Sequence, residues 1–306
     1  MLCSPKPGEE EDSSGNRALH YAARWGHVDL TNMLFDAHAE IGVKNKAGST
    51  PLVQAAGNGH EVVKLFPRRG ANINERTECS GNALQAAALN GSTILVQMLL
   101  DWVSSHGGDY GTAFQAAAYG SHKAVALLLL DHGAEVNSQG GTYGNALQAA
   151  AFNTKGRRAV VQLLLDHGAE VNAEGGKYGN ALQAAAYMGH KVVVQLLLER
   201  GAKVNTQGGA YGNALQAAAY EGNEAVVQLL LDHGAEAKRA GWSVRQRSPG
   251  SCIQRAQGNR PTTIRQRAEV NAQGEYYGNA LQAAAYRGHM RTEGTEKSRR
   301  PLLTRS

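Results

Sequence analysis

The feature that most limits what this chain can fold into is its period. A glycine that opens each unit recurs at Gly15, Gly48, Gly81, Gly111, Gly144, Gly179, Gly212 and Gly278. The successive spacings are 33, 33, 30, 33, 35, 33 and 66, the last being two periods of 33. Self-similarity at this length marks an array of small structural units and not a single enclosed core.

The best-preserved unit, Tyr178 to Gly209, reads Y-G-N-A-L-Q-A-A-A-Y-M-G-H-K-V-V-V-Q-L-L-L-E-R-G-A-K-V-N-T-Q-G-G. Asn180 stands just ahead of Ala-Leu-Gln-Ala-Ala-Ala, where its side chain can accept from the free amides of a first helical turn. A short helix is predicted there. Its alanines at 184–186 are strong helix formers with little bulk, which lets a neighbouring helix approach closely. Gly189 and His190 then reverse the chain into a second helix, on which Val193, Leu196 and Leu197 form an apolar stripe. Gly201 ends that helix, as Gly70, Gly133, Gly168 and Gly234 do in other units, because a helix-terminating residue often takes positive φ. The remaining V-N-T-Q-G-G-A-Y is turn chemistry leading into the next unit. Two helices of about two turns each cannot bury such a stripe alone, so the units must stack.

These residues resemble the ankyrin repeat, a unit of 33 residues with a β-turn, two helices and the signature T-P-L-H-x-A. Thr50-Pro51-Leu52 and Ala18-Leu19-His20-Tyr21-Ala22-Ala23 come closest to that wording. Elsewhere N-A-L-Q replaces T-P-L-H, keeping a capping side chain but losing the proline and the histidine. That variant is similar to arrays common in large fungal multidomain proteins. The resemblance covers residues 15 to about 289. It implies an all-α solenoid of stacked helix-turn-helix units with hairpin loops, non-catalytic, without cofactor, binding other proteins along a concave face.

Several stretches depart from the pattern. Pro67 stands where the second helix normally carries leucine, and a proline inside a helix costs about 3 kcal/mol or more. Gly81 to Gly111 is three residues short, with Trp102 to Gly108 replacing the usual ending, and residues 152–158 carry two extra. The N-terminal half is therefore expected to be the less regular one. The 66-residue gap places a missing glycine at position 245, where Arg245 stands instead. Residues 238–267 hold eight basic side chains, no acidic ones, two prolines and no Leu-Leu-Leu run. Reading synonymous codons for Ser243 to Arg267 from their second base permits V-Y-G-N-A-L-Q-A-A-A-Y-R-G-H-K-A-T-V-Q-L-L-F-D-K-G, an in-register unit. The stretch is thus expected to be one repeat translated out of frame between two compensating small insertions or deletions, and disordered if made as written. The resulting organisation is an acidic disordered segment 1–14, seven repeats over 15–237, the disrupted unit 238–267, a partial unit 268–289 and a basic tail 290–306. The chain is also compatible with being a fragment.

Charge follows the same division. Residues 238–306 hold 14 Lys/Arg against 4 Asp/Glu; subtraction from totals of 31 and 26 leaves 17 basic and 22 acidic residues before them. The asymmetry raises a nucleic-acid arm, or a nuclear signal at Lys297-Ser298-Arg299-Arg300, as the rival reading. Frame damage and a solvated tail account for it more simply. No apolar run approaches the ~18 residues a membrane span needs. The N-terminus has no apolar core of a secretory signal. Cys3, Cys79 and Cys252 lack metal-ligand spacing. Together these predict a monomeric protein of the cytosol, with the nucleus as the other compartment, and leave the Asn90-Gly91-Ser92 sequon unmodified.

Candidate chemistry is sparse. His132, His167 and His233 recur in D-H-G, and His60, His190 and His289 in G-H. Equivalent atoms of stacked helices lie about 8–10 Å apart, too far to share a zinc at about 2.0–2.1 Å, so turn and capping roles are expected. The Gly140 to Gly144 sequence lacks the Gly-Lys-Ser/Thr ending of a phosphate loop. A catalytic site needs unlike groups converging on one point, whereas this chain offers like groups along a line. Two aromatic series remain. Tyr110, Tyr143, Tyr178, Tyr211 and Tyr277 precede the opening glycines, at hairpin tips by the resemblance. Tyr119, Phe152, Tyr187, Tyr220 and Tyr286 end the first helices, which in the family face the concave groove. They are expected to form two ladders, for partner binding or for packing between repeats, with Met188, Glu221 and Arg287 tuning partner choice. A further reading makes the array the sensor portion of a longer intracellular signalling protein.

Overall fold

The computed structural model describes residues 10–77, 81–100, 112–153 and 158–236. Within them the chain folds into seven consecutive helix pairs. They are α1 (Ala18–Arg24) with α2 (Val28–Asp36), then α3 (Pro51–Gly57) with a 3-10 helix (Glu61–Lys64) running into α4 (Leu65–Arg68). Next come α5 (Ala83–Asn90) with α6 (Thr93–Leu99), α7 (Ala113–Gly120) with α8 (Lys123–Asp131), and α9 (Ala146–Phe152) with α10 (Arg158–Asp166). The last pairs are α11 (Ala181–Met188) with α12 (Lys191–Glu199), and α13 (Ala214–Glu221) with α14 (Glu224–Asp232). Among the described residues the only β pairing is four isolated antiparallel bridges, such as Gly175 with Gly179 at the base of a hairpin.

Five of the seven first helices start on a reciprocal cap. Asn180 Oδ1 accepts from the Gln183 amide at 2.9 Å, and Gln183 Oε1 accepts from the Asn180 amide at 2.8 Å. The same box closes α5, α7, α9 and α13. It satisfies two of the donors a helix start leaves open. By these caps the opening glycines are not all equivalent: Gly15 and Gly48 stand two residues before the cap, and the later ones stand one before.

The core is continuous from unit to unit. Val193, Val194, Leu196 and Leu197 are buried, as are Val160, Val161, Leu163 and Leu164 one unit earlier. Each such side chain contributes about 1.5–3 kcal/mol. The first helices lie against one another in sequence from α1 to α13, and α6, α8, α10, α12 and α14 form a second row. Contact is more extensive in the alanine-rich first row than in the second, and the side it lines is termed the inner face.

The second unit is the irregular one expected at Pro67. Where five of the other units run a nine-residue helix, its chain goes through the 3-10 turn Glu61–Lys64 before the single α turn Leu65–Arg68. Proline has no amide hydrogen to donate, so a full second helix cannot be closed through it. The divergent stretch Trp102–Gly108, the three cysteines, and the segments assigned to 238–267, 268–289 and 290–306 lie outside the described residues.

Candidate functional site: an aromatic stack on the inner face

The aromatic rings expected to form two ladders form one. Along the array the order is Tyr119, Tyr143, Phe152, Tyr178, Tyr187, Tyr211, Tyr220, alternating between helix ends and hairpin tips. Successive ring centroids lie 4.9, 5.0, 4.2, 5.3, 4.5 and 5.0 Å apart. A hairpin-tip ring therefore lies beside the helix-end rings of two units in a zigzag, the helix-end rings recurring at 6.2–6.5 Å. Rings at these distances attract by offset stacking worth about 0.5–1.5 kcal/mol per pair beyond the area they bury. Every ring is half-buried. Neighbouring rings cover part of each face. Tyr110, Tyr277 and Tyr286 lie outside the described residues.

The tips are held in place by the backbone. The Lys177 amide donates to the Thr142 carbonyl at 2.9 Å, and the Ala210 amide donates to the Lys177 carbonyl at 2.8 Å. The approach is so close that a Cβ on Gly209 would sit 2.4 Å from the Tyr178 carbonyl carbon. Glycine is required there by its φ of +63° as well.

Burial pushes the Tyr178 and Tyr187 hydroxyls well above the ordinary tyrosine range, and Tyr187 is raised further by hydrogen bonding to Tyr211 and to the Glu221 carboxylate. Glu221, at the end of α13, thus sits against the stack. Met188 occupies the equivalent position at the end of α11 and is partly buried. The Lys177 ammonium lies over Tyr178, 5.5 Å from its ring centroid.

The recurring histidines make hydrogen bonds at helix ends. The Nδ1 atoms of His132, His167 and His233 lie 2.8, 2.8 and 2.9 Å from the carbonyls of Leu128, Leu163 and Leu229. His190 Nε2 reaches back 2.5 Å to the Asn153 carbonyl, and burial holds its pKa below the usual histidine value. The Gly140 to Gly144 sequence is a hairpin closed by a Gly140 amide to Gly144 carbonyl bond of 2.7 Å. Among the described residues no three His, Cys, Asp or Glu side chains are grouped to hold a metal ion.

Two sets of polar side chains escaped the sequence reading. The first is the glutamine of N-A-L-Q. Beyond its cap bond, Gln148 Nε2 donates to the Ala173 and Gly179 carbonyls of the following hairpin at 3.0 and 2.9 Å. Gln115 and Gln183 do the same one unit before and after. In the first unit His20 plays both parts, Nδ1 accepting from the Arg17 amide and Nε2 facing the Ser49 carbonyl, each at 3.1 Å. The glutamine therefore takes over the part that the signature histidine plays in the first unit. Its signal was the three-residue Asn-to-Gln spacing.

The second set is the asparagine of the V-N dipeptide. Asn172 Nδ2 donates to the Gly201 carbonyl at 3.0 Å while its Oδ1 accepts from the Lys203 amide at 2.8 Å. Asn137 and Asn205 repeat this two-ended bond.

Comparison with known proteins agrees with this architecture. The family profile described as "Ankyrin repeats (3 copies)" matches residues 19–107, 52–140, 84–175 and 173–241. A probable E3 ubiquitin-protein ligase of Oryza sativa subsp. japonica is 39% identical over 94 residues, 29% of this chain and 19% of that protein. A transient receptor potential cation channel subfamily A member 1 homolog of Caenorhabditis elegans is 33% identical over 125 residues, 40% of this chain and 10% of that protein. The human ankyrin repeat domain-containing protein 63 is 31% identical over 112 residues, 35% of this chain and 28% of that protein. The chain thus spans less than a third of the length of these relatives. Among solved structures, the ankyrin repeat domain of human ASB11 superposes with a TM-score of 0.57 at 24% identity, covering 70% of this chain and 98% of that one. With the profile matched across most of its length and the helix pairs stacked as described, the chain belongs to the ankyrin-repeat family.

Proposed function

We propose that this chain is a non-catalytic scaffold that binds other proteins along its inner face, as a monomer inside the cell. One observation carries the reading. A half-exposed aromatic stack runs without interruption from Tyr119 to Tyr220 across four repeats, on a backbone fixed by inter-repeat hydrogen bonds. Tyrosine is a large, rigid contact with a polar end, which suits it to binding hot spots. Met188 and Glu221 differ at one structural position, so an invariant frame carries variable side chains.

Repetition argues against catalysis. Unlike groups must converge to form a reacting centre, and here like groups recur at a fixed interval. No helix among the described residues is long and apolar enough to cross a membrane.

The test is binding of partners purified from the native organism, compared between the unaltered chain and Tyr178→Ala with Tyr211→Ala. Loss of binding in the double variant, with little dependence on salt, supports the inner face. Binding that falls steeply with added salt and is indifferent to both tyrosines overturns it in favour of nucleic acid at the basic C-terminal stretch.

A further inference from the structure

We infer that the aromatic stack seats an extended peptide that advances two residues per repeat, with an acidic side chain at Lys177 and a basic one at Glu221. This deepens the proposal above and rests on it. The helix-end rings recur at 6.5, 6.2 and 6.4 Å, and the hairpin-tip rings at 6.4 and 6.2 Å. A β-strand rises about 3.2–3.4 Å per residue, so its alternate side chains, all on one side, recur every ~6.4–6.8 Å.

Other backbones do not match. A polyproline II helix returns to the same face every third residue, about 9.3 Å, well beyond one rung. An α-helix covers about 6.0 Å in four residues, but each such step overshoots a full turn by about 40°. After three rungs its contact side has swung roughly 120° off the stack. Only an extended strand keeps one side on successive rungs, and about eight residues span four of them.

The surface chemistry sets the register. The half-buried rings offer apolar contact to the peptide's side chains. Lys177 lies over Tyr178, and Glu221 bonds to Tyr187 beside Tyr211, one rung along. Tyr178 and Tyr211 are 6.2 Å apart, so the two opposite charges of the peptide are two residues apart. Complementary charges of this kind fix register more than they add affinity.

The experiment is selection from a displayed library of random peptides about twelve residues long against the full chain, followed by titration of the enriched peptides. Sequence preferences at alternate positions are expected, with an acidic and a basic residue two apart. Affinity should fall roughly tenfold with Lys177→Glu and recover when the peptide's acidic residue is changed to lysine. Lys177 is exposed, so this variant leaves the fold intact even where Tyr178→Ala does not. Preferences spaced every third or fourth residue, on peptides that still lose binding with Tyr178→Phe and Tyr211→Phe, overturn the extended-peptide inference and leave the inner-face reading standing. Enriched peptides indifferent to all of these variants overturn both. A library that yields no enriched peptide overturns the inference.

Discussion

Gln183 donates from Nε2 to the carbonyl of Gly212, 29 residues along the chain, at 2.5 Å. The same amide also reaches the Thr206 carbonyl at 3.0 Å, while its Oε1 holds the cap of its own helix. One side chain thus ties a helix start to the hairpin of the following repeat.

Replacing it by an apolar residue strands the Asn180 cap amide and takes one donor from the Thr206 and Gly212 carbonyls, the latter keeping the Gly208 amide at 3.0 Å. Gln183→Leu is expected to lower stability by about 1–3 kcal/mol, measured by urea unfolding, the cost of a stranded buried group. Gln183→His should recover most of that loss, because His20 makes the same two connections in the first unit. Equal losses from the two variants would show that the hydrogen bonds are not what the position supplies.

The hairpin tips allow a sharper comparison. Gly201 and Gly209 both have positive φ, +86° and +63°, but a Cβ at Gly201 meets nothing within 4 Å whereas one at Gly209 meets the Tyr178 and Gly179 backbone. Gly201→Ala is expected to cost only the conformational penalty, about 1–2 kcal/mol. Gly209→Ala must also separate two tips, so its thermal midpoint should fall clearly further. A smaller shift at Gly209 would mean that the tips are not in register under solution conditions.

Stability should fall at both ends of the pH scale for separate reasons. The folded state raises the pKa of Tyr178 and Tyr187, so it holds their protons where the unfolded chain releases them. Their stabilisation is complete below pH ~10 and is lost as pH rises beyond that. Tyr178→Phe with Tyr187→Phe should flatten the alkaline limb in thermal melts. Burial lowers the pKa of His190, so its contribution is complete above pH ~6.5 and is lost as pH falls. His190→Asn should flatten the acid limb while keeping the bond, because Asn223 makes the equivalent contact to the Tyr187 carbonyl at 2.8 Å. An unchanged pH profile in either variant would assign the limb to other groups.

At the end of the described array Gln216 makes its cap bonds, but its Nε2 meets no acceptor among the described residues. Counting forward 29 residues as Gln115 and Gln183 do, its second acceptor falls at position 245, where the period calls for glycine and Arg245 stands. Sequencing the gene and its transcript is expected to give nucleotides that spell a repeat when residues 243–267 are read from the second base. Codons that cannot spell it would end the frame-shift proposal.

How much of this was legible in the sequence follows from how local each feature is. Asn180 as a cap, Gly201 as a helix stop and Leu197 as core are set within one unit, and one unit's pattern reveals them. The second unit's broken helix was legible at Pro67 for the same reason. Gln148 and Asn172 were not, because their partners lie 25 to 31 residues away and appear only when the units are superposed in space. The merging of two expected ladders into one stack was hidden likewise. Sequence places Tyr178 and Tyr187 nine positions apart, and only the fold of the hairpin over the helix end brings the rings to 5.3 Å.

The asparagine bonds from Asn137, Asn172 and Asn205 have a consequence for the gene. Each joins a unit to its successor by one side chain and two backbone groups that recur over the units from α7 to α14. Deleting one whole copy would bring together two ends that already match, and inserting a copy would find both seams ready-made. Recombination between these copies can therefore lengthen or shorten the protein in whole units while leaving the joints between them chemically unchanged.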